Sequence, residues 1–591
     1  MKKIEKFFRE FNNKLTGKLH LVLVLFFCLV FFFLASILPY QQEKNDFIKF
    51  LSPDENANYI FAKLYQKNNS LSFFEKYNLL AEDVIKPRSY FSHNGELKPV
   101  SFLGIIIIYG GLAKVFGTGI IPFLTPFFAT VGLFFYYLLM KLFFGPKNGL
   151  VSFFLLFSLP VLFYYSTRSM FHNVLFLTFF IIGLYFFSYL IQKKPIKYQA
   201  VSKKDYYKKI FSFDFIYASL AGIFMGLTIA VRSSELVWLL PAGLLFLILK
   251  WKNIKFFRLS IFFSFIVLTL LPIFYNNQIL YNSPFYGGYY EMNKSLEDIS
   301  QASGGILKSI FSGHLGDIKD FSETIFNTVF YFGFNPIQSL KMFFRYGVQM
   351  FWYLFWPALL GFIYLLAFGR KILFKIWPYI LSWVLLSLIL VFYYGSWRFV
   401  DNPDPKSFTI GNSYTRYWLP IYIGLIPLAS FFILNLAKIF FFLRNKKALQ
   451  IINIVIPIMA VVLFSFLSFK FVYSGSEEGL NRYSTNLQNA KAEVERVLLL
   501  TENNSVIITE YHDKFLFPER KVIVGRFNDD NMVRNYYNLS RYLPIYYYNF
   551  TFPEKDFNYL NNRRLINFDL GIELVENVND TFSLYKLYSL D

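Results

Sequence analysis

The chain has 591 residues, of which 55% are hydrophobic and only 16% charged, with 78 phenylalanines. A soluble domain averages roughly 45–50% apolar and about 25% charged residues; here the mean hydropathy is +0.40. This excludes a disordered chain, a disulfide scaffold and a free cytosolic enzyme, and it implies an integral membrane protein. The formal net charge of +21 then marks loops held on the cytoplasmic side rather than a nucleic-acid partner, because Lys and Arg are retained on the inner face. The single cysteine, Cys28, rules out an intramolecular disulfide, a multi-cysteine zinc site and an Fe–S cluster.

A spanning helix needs about 20 apolar residues. The first candidate is 19–38, preceded by Lys2, Lys3, Lys6, Arg9, Lys14 and Lys18. Its core is too long for a cleaved leader, so it reads as an uncleaved anchor with a cytoplasmic N-terminus. Further runs lie near 102–116, 119–141, 149–165, 170–191, 214–231, 236–249, 259–275, 345–368, 376–394, 416–437 and 450–470. Four connectors are basic: Lys193–Lys209, Lys250–Arg258, Arg370–Lys375 and Lys438–Lys447. All four face the cytoplasm only if one early run does not cross. The run 102–116 is short and interrupted by Gly110 and Gly111, so it is expected to be re-entrant or interfacial. That leaves about eleven crossings, and the long polar segments 39–101, 276–344, 395–415 and 474–591 gather on the outer face of a plasma membrane.

The first outer loop contains "SPDENANYIFAKLYQ", with Asp54 and Glu55 adjacent and a helical pattern at Tyr59, Ala62, Lys63 and Gln66. Two acids at a helix start suit the macrodipole. They also suit a general base or a divalent cation such as Mg or Mn, which selects carboxylate oxygens.

Further along come "LKPVSFLGIIIIYGGLAKVFG" (97–117), "LFSLPVLFYYSTRSMFHNVLF" (156–176), "LAGIFMGLTIAVRSSELVWLLP" (220–241), "FYNNQILYNSPFYGGYYE" (274–291) and "GNSYTRYWLP" (411–420). The acidic pair after the first span and these segments, in this order, resemble the GT-C glycosyltransferases. The resemblance is to the group of protein mannosyltransferases using dolichyl-phosphate-mannose and of bacterial aminoarabinose transferases. It implies a polytopic α-helical, GT-C-like membrane domain over 1–473. It also implies transfer of a sugar, with inversion, from a polyprenyl-phosphate donor to a hydroxyl on a glycan, lipid or protein. Asp54 is then the expected base and Glu55 a supporting acid or metal contact. The second outer loop departs from the pattern: where relatives carry an acid, this chain has Ser166, Arg168, His172 and Asn173. His172 is a further metal candidate beside Asp54 and Glu55.

Phosphate calls for cations where charge develops on the leaving group, and Arg suits it because its planar fork binds bidentately. Arg232 with Glu235 lies at a span boundary, where ionisable groups are costly. Arg416 flanks Tyr417; Arg168 and Arg398 are further candidates, with His93 and Lys98 near the re-entrant run. The loop 276–344 carries Gly287–Gly288, Tyr289 and Gly304–Gly305, the composition of a lid or of an interfacial aromatic cluster. Two other readings stand beside the transferase: a transporter or flippase of lipid-linked glycans, which would place acids within its spans, and a non-catalytic membrane scaffold.

From about residue 474 the composition changes. A helical pattern over 486–502 precedes β-rich runs at 505–510 and 521–525, a polar helix near 529–541, then runs at 544–550, 571–576 and 582–587. This predicts a small outer α/β domain over 474–591. Tyr511, His512 and Asp513 follow a strand there, where ligands commonly bind, without a second motif to support a site.

Overall fold

The computed structural model describes residues 2–192, 214–290, 292–295, 297–298, 323, 325–401, 408–436, 446–475 and 478–590. Lys193–Lys209, Gly304–Gly305, Lys438 and Arg444 lie outside the described residues. The chain divides into two compact units. The first is Met1–Ile37, Phe123–Ile273 and Asn293–Leu480; the second is Leu38–Pro122, Phe274–Met292 and Asn481–Asp591.

The first unit is helical. Among the described residues of the whole chain, eight helices are long and apolar enough to cross a membrane. Two bent pairs raise the number to ten if each is one span: Pro146–Phe157 with Pro160–Arg168, bent by 52°, and Pro336–Gln349 with Trp352–Phe368, bent by 94°. The first bend follows from the sequence, because Pro160 lacks the N–H to continue a helix yet is preorganised to start one. The distance from the eleven expected is one helix, Phe215–Val231, whose 17 described residues fall short of a span. Together these helices make the chain a multi-pass membrane protein.

In the second unit, the helix Pro53–Asn68 carries the acidic pair and packs along Leu103–Phe116. Gly110 permits this crossing, since a Cβ there would sit 2.7 Å from the Ala62 carbonyl oxygen. The two glycines therefore do not break the 102–116 run; the helix is continuous and Gly110 is its contact point. A three-stranded antiparallel sheet lies nearby in sequence, β1 (Phe73–Phe74), β2 (Tyr90–His93) and β3 (Glu96–Pro99), in the order β1-β3-β2. Asn94 and Gly95, both at positive φ, make the tight β2–β3 turn.

The tail folds as expected. Strands β4 (Val506–Ile508), β5 (Lys521–Ile523), β6 (Ile545–Phe550), β7 (Leu570–Asn577) and β8 (Phe582–Ser589) form one sheet in the order β5-β4-β6-β8-β7. The β5-β4-β6 part is parallel and the rest antiparallel. Alternation along β4 sends Ile507 to one face and Val506 and Ile508 to the other. Ala490, Val494 and Val497 of the helix Leu480–Leu500 cover the first face; Val533, Tyr536 and Leu539 of Asp530–Ser540 cover the second. Ala81 and Ile85 belong to that second core, and Ile85 bridges Ile523 at the sheet edge. The compact unit around the tail is thus wider than 474–591 and includes the acid-bearing loop.

Candidate active site

The acidic pair begins the helix Pro53–Asn68, whose N-cap is Ser52. Glu55 is wholly buried, and one of its carboxylate oxygens accepts from the Ser52 backbone N–H at 3.1 Å. That reciprocal contact at the third helical position is what a capping box provides. Asn56 fixes the same turn: its side-chain oxygen accepts from Phe50 N, and its amide donates to the Phe50 and Ser52 carbonyls. Ser101 donates to Asn58 Oδ1 at 2.6 Å, tying the helix to the next segment. Asp54 is partly exposed, and its Oδ1 accepts from Ser89 Oγ at 2.5 Å. The two acids therefore differ: Glu55 closes the helix end, while Asp54 is held by a single hydroxyl and reaches the surface.

Three other expected residues of this unit are accounted for. Lys98 pairs with Glu96 at 2.8 Å and donates to the Leu280 carbonyl. Tyr289 packs its ring against Phe102 with centroids 5.5 Å apart. His93 stacks on Phe91 in β2.

In the first unit, Arg232 ends the helix Phe215–Val231 and pairs with Glu235 at 2.7 Å, both buried. Tyr394 completes the triangle, accepting from Arg232 at 3.3 Å and donating to Glu235 Oε1 at 2.7 Å. Glu235 also accepts from the indole of Trp238. The Arg232 guanidinium lies over the Tyr417 ring at 4.4 Å. Arg416 approaches the same ring at 5.2 Å and the Phe171 ring at 4.7 Å. Arg168 is 5.0 Å from Phe171 and donates to the Tyr164 hydroxyl. Three guanidiniums thus share two aromatic rings, a contact each ring's quadrupole favours. Asn173 donates to the Arg416 carbonyl, and His172 is buried at the start of its helix. Arg398 is exposed and stands outside this chain of contacts.

Two of these guanidiniums act on the Tyr417 hydroxyl. Burial alone would raise the Tyr417 hydroxyl, but the Arg416 and Arg232 guanidiniums outweigh it and hold Tyr417 below the usual phenol range. Carboxylates that sequence reasoning did not single out sit nearby in this unit. Asp401 accepts from the Ser413 backbone and hydroxyl, and that hydroxyl also accepts from Arg416. Glu478 accepts from Thr409; burial pushes its carboxyl up, partly countered by Thr409 and Arg168. Trp238 also lines a cavity of about 360 Å³ whose other walls include Tyr136, Leu139, Phe180, Trp383 and Ile423. An apolar chamber therefore begins where the Glu235 contact ends.

Among the described residues, no three His, Cys, Asp or Glu side chains form a group able to hold a metal ion. The expected Asp54, Glu55 and His172 set is not such a group, and Glu55 is engaged in closing its helix.

Comparison with solved structures places this architecture. The chain superposes on ArnT from Cupriavidus metallidurans bound to undecaprenyl phosphate with a TM-score of 0.54 at 11% identity, covering 96% of this chain and 97% of that one. It also superposes on the Archaeoglobus fulgidus oligosaccharyltransferase tethered with an acceptor peptide containing the NVT sequon. There the TM-score is 0.55 at 11% identity, covering 91% of this chain and 69% of that one. No protein-family model and no curated protein sequence matches the chain. The fold is therefore GT-C-like: a polytopic helical membrane domain with a small C-terminal sheet domain. At this level of identity the likeness extends to architecture, and the chemistry must come from the residues themselves.

Proposed function

We propose that this protein is an inverting membrane glycosyltransferase that moves a sugar from a polyprenyl-phosphate donor to a hydroxyl acceptor on the outer face of the membrane. The acceptor oxygen attacks the anomeric carbon, the bond from that carbon to the phosphate oxygen breaks, and the acceptor proton passes to Asp54. Polyprenyl phosphate leaves with the bonding electrons, needing no acid because phosphate is already a good leaving group. Arg232, Arg416 and Arg168 hold the charge that grows on it. The apolar cavity bordered by Trp238 suits a stretch of isoprenoid chain.

One observation carries this reading: three guanidiniums gathered on Tyr417 and Phe171, with Glu235 and Tyr394 fixing one of them. Cations concentrated at a membrane boundary beside an apolar chamber fit an amphiphilic anion. The ArnT neighbour is named as binding undecaprenyl phosphate, a molecule of that class. The carboxylates described lie outside the interiors of the spans, which suits chemistry at the surface better than passage through the bilayer.

The test is product analysis. Purified protein is incubated with polyprenyl-phosphate monosaccharides and membrane extract as acceptor source. Free polyprenyl phosphate should appear in step with a glycosylated product of opposite anomeric configuration. Movement of intact donor across a vesicle bilayer without cleavage would instead identify a flippase.

A further inference from the structure

The tail offers a residue that bears on Asp54. Asp513 opens the short helix Asp513–Leu516 that comes after β4, and it is wholly buried. Its Oδ2 accepts from the Arg88 backbone N–H at 2.8 Å, and its two oxygens accept from Arg88 Nε at 3.1 and 3.2 Å. Oδ1 also receives Nη2 of the same guanidinium at 2.5 Å. One carboxylate therefore grips residue 88 by main chain and side chain together. The next residue is Ser89, held at φ +67°, and its hydroxyl donates to Asp54 Oδ1. Its carbonyl accepts from Val100 N at 3.3 Å, so the turn is fixed on its other side as well.

We propose that Asp513 is a positioning residue for the Asp54 carboxylate, acting through Arg88 and Ser89. The proposal rests on the reading of Asp54 as the base. A carboxylate near a helix start has freedom about two side-chain bonds, and a base works only if its lone pair meets the acceptor hydroxyl at hydrogen-bond distance. Pinning Oδ1 through Ser89 decides where Oδ2 points. Ser89 in turn stays in a left-handed conformation that non-glycine residues rarely adopt, because its neighbour is clamped on both faces. An ion pair that merely tied the tail to the loop would not need the Arg88 main-chain N–H, nor a strained serine beside it. The tail is then part of the catalytic apparatus and not only a cap on it.

The test is a double-mutant cycle on the full-length protein in detergent, with a polyprenyl-phosphate sugar as donor. Ser89→Gly is chosen because glycine suits the left-handed backbone while removing the hydroxymethyl group that reaches Asp54. Ser89→Gly and Asp513→Asn should each lower kcat roughly tenfold, with KM for the donor unchanged, since small misplacement of a reacting group has effects of at least that order. The double variant should be no slower than either single one, because both changes remove the same contact. Losses that multiply to about a hundredfold would make Asp513 a purely structural residue and overturn the proposal. Wild-type kcat in either single variant would do the same. Should Asp513→Asn fail to fold, Arg88→Lys takes its place, losing the bidentate grip while keeping the charge. Asp54→Asn is run alongside: retained transfer there removes the base itself, an outcome distinct from a failed cycle on the wild-type background when Asp54→Asn is inactive.

Discussion

The two polar regions, Arg232 to Tyr417 in the membrane unit and Asp54 to Asp513 in the second unit, solve opposite electrostatic problems. Around Arg232 three cations converge with Glu235 as the buried ion-pair partner of one of them. Around Asp54 the acids are each answered: Glu55 by the Ser52 backbone, Asp513 by Arg88, Asp54 by Ser89. The first arrangement gathers guanidiniums on shared aromatic rings, which suits the departing phosphate of the proposed reaction. The second spends its hydrogen bonds on geometry. In the proposed reaction, charge stabilisation and proton removal are then built from separate parts of the chain.

Four changes would sharpen or break that contrast. The largest effect is expected at Arg232. Arg232→Met strands Glu235 in a buried position, and losing one member of a buried pair costs about 3–5 kcal/mol; thermal unfolding in detergent should show it. Arg232→Met with Glu235→Met should recover most of the stability and none of the transfer activity. If the single variant is as stable as wild type, the pair is not the buried element described here.

Arg416 comes next, because it donates to the Ser413 hydroxyl and lies against the Tyr417 and Phe171 rings. Arg416→Ala should lower kcat/KM by roughly 100-fold, the usual loss on removing one charge-stabilising donor, with a much smaller change in melting temperature. A drop in stability without a drop in kcat/KM would reverse its assignment.

Gly110→Val should separate the helices Pro53–Asn68 and Leu103–Phe116 and cost about 1–3 kcal/mol. Transfer should fall with it, since the acid-bearing helix loses its support.

The smallest effect concerns pH in the tail. Burial would raise Glu493, but its contacts with His512, Tyr548 and Asn579 outweigh it and hold the carboxyl below its ordinary range. A depressed acid adds stability above its unfolded pKa, near 4.3, and that stability disappears as pH falls through the lower folded value. Unfolding followed between pH 6 and 3 should show a loss on the order of 1 kcal/mol in wild type. The Glu493→Gln protein should lack that component.

Much of this was legible in the sequence, for identifiable reasons. Spans announce themselves by apolar length, and the tail by strands of the right spacing; both were found. Arg232 stood out because ionisable groups at a span boundary are costly, Arg416 because a guanidinium fork suits phosphate, and Asp54 because the acidic pair after the first span resembles the GT-C pattern. The small sheet β1 to β3 was missed, although Asn94–Gly95 between two short extended runs is a recognisable hairpin turn. Ser89, Tyr394 and the Arg88–Asp513 clamp had no such signal. Their contacts span 35, 159 and 425 residues of sequence, and no local pattern encodes a partner that far away. The role of Glu55 was readable, since Ser52 and Glu55 have capping-box spacing, but the functional reading of an acidic pair competes with it.

The central claim is that Asp54 removes the acceptor proton and takes no part in holding the donor. Donor affinity and single-turnover transfer, measured side by side on Asp54→Asn, separate the two. The account requires an unchanged Kd for the polyprenyl-phosphate sugar together with transfer reduced to background. Wild-type turnover by Asp54→Asn would contradict it.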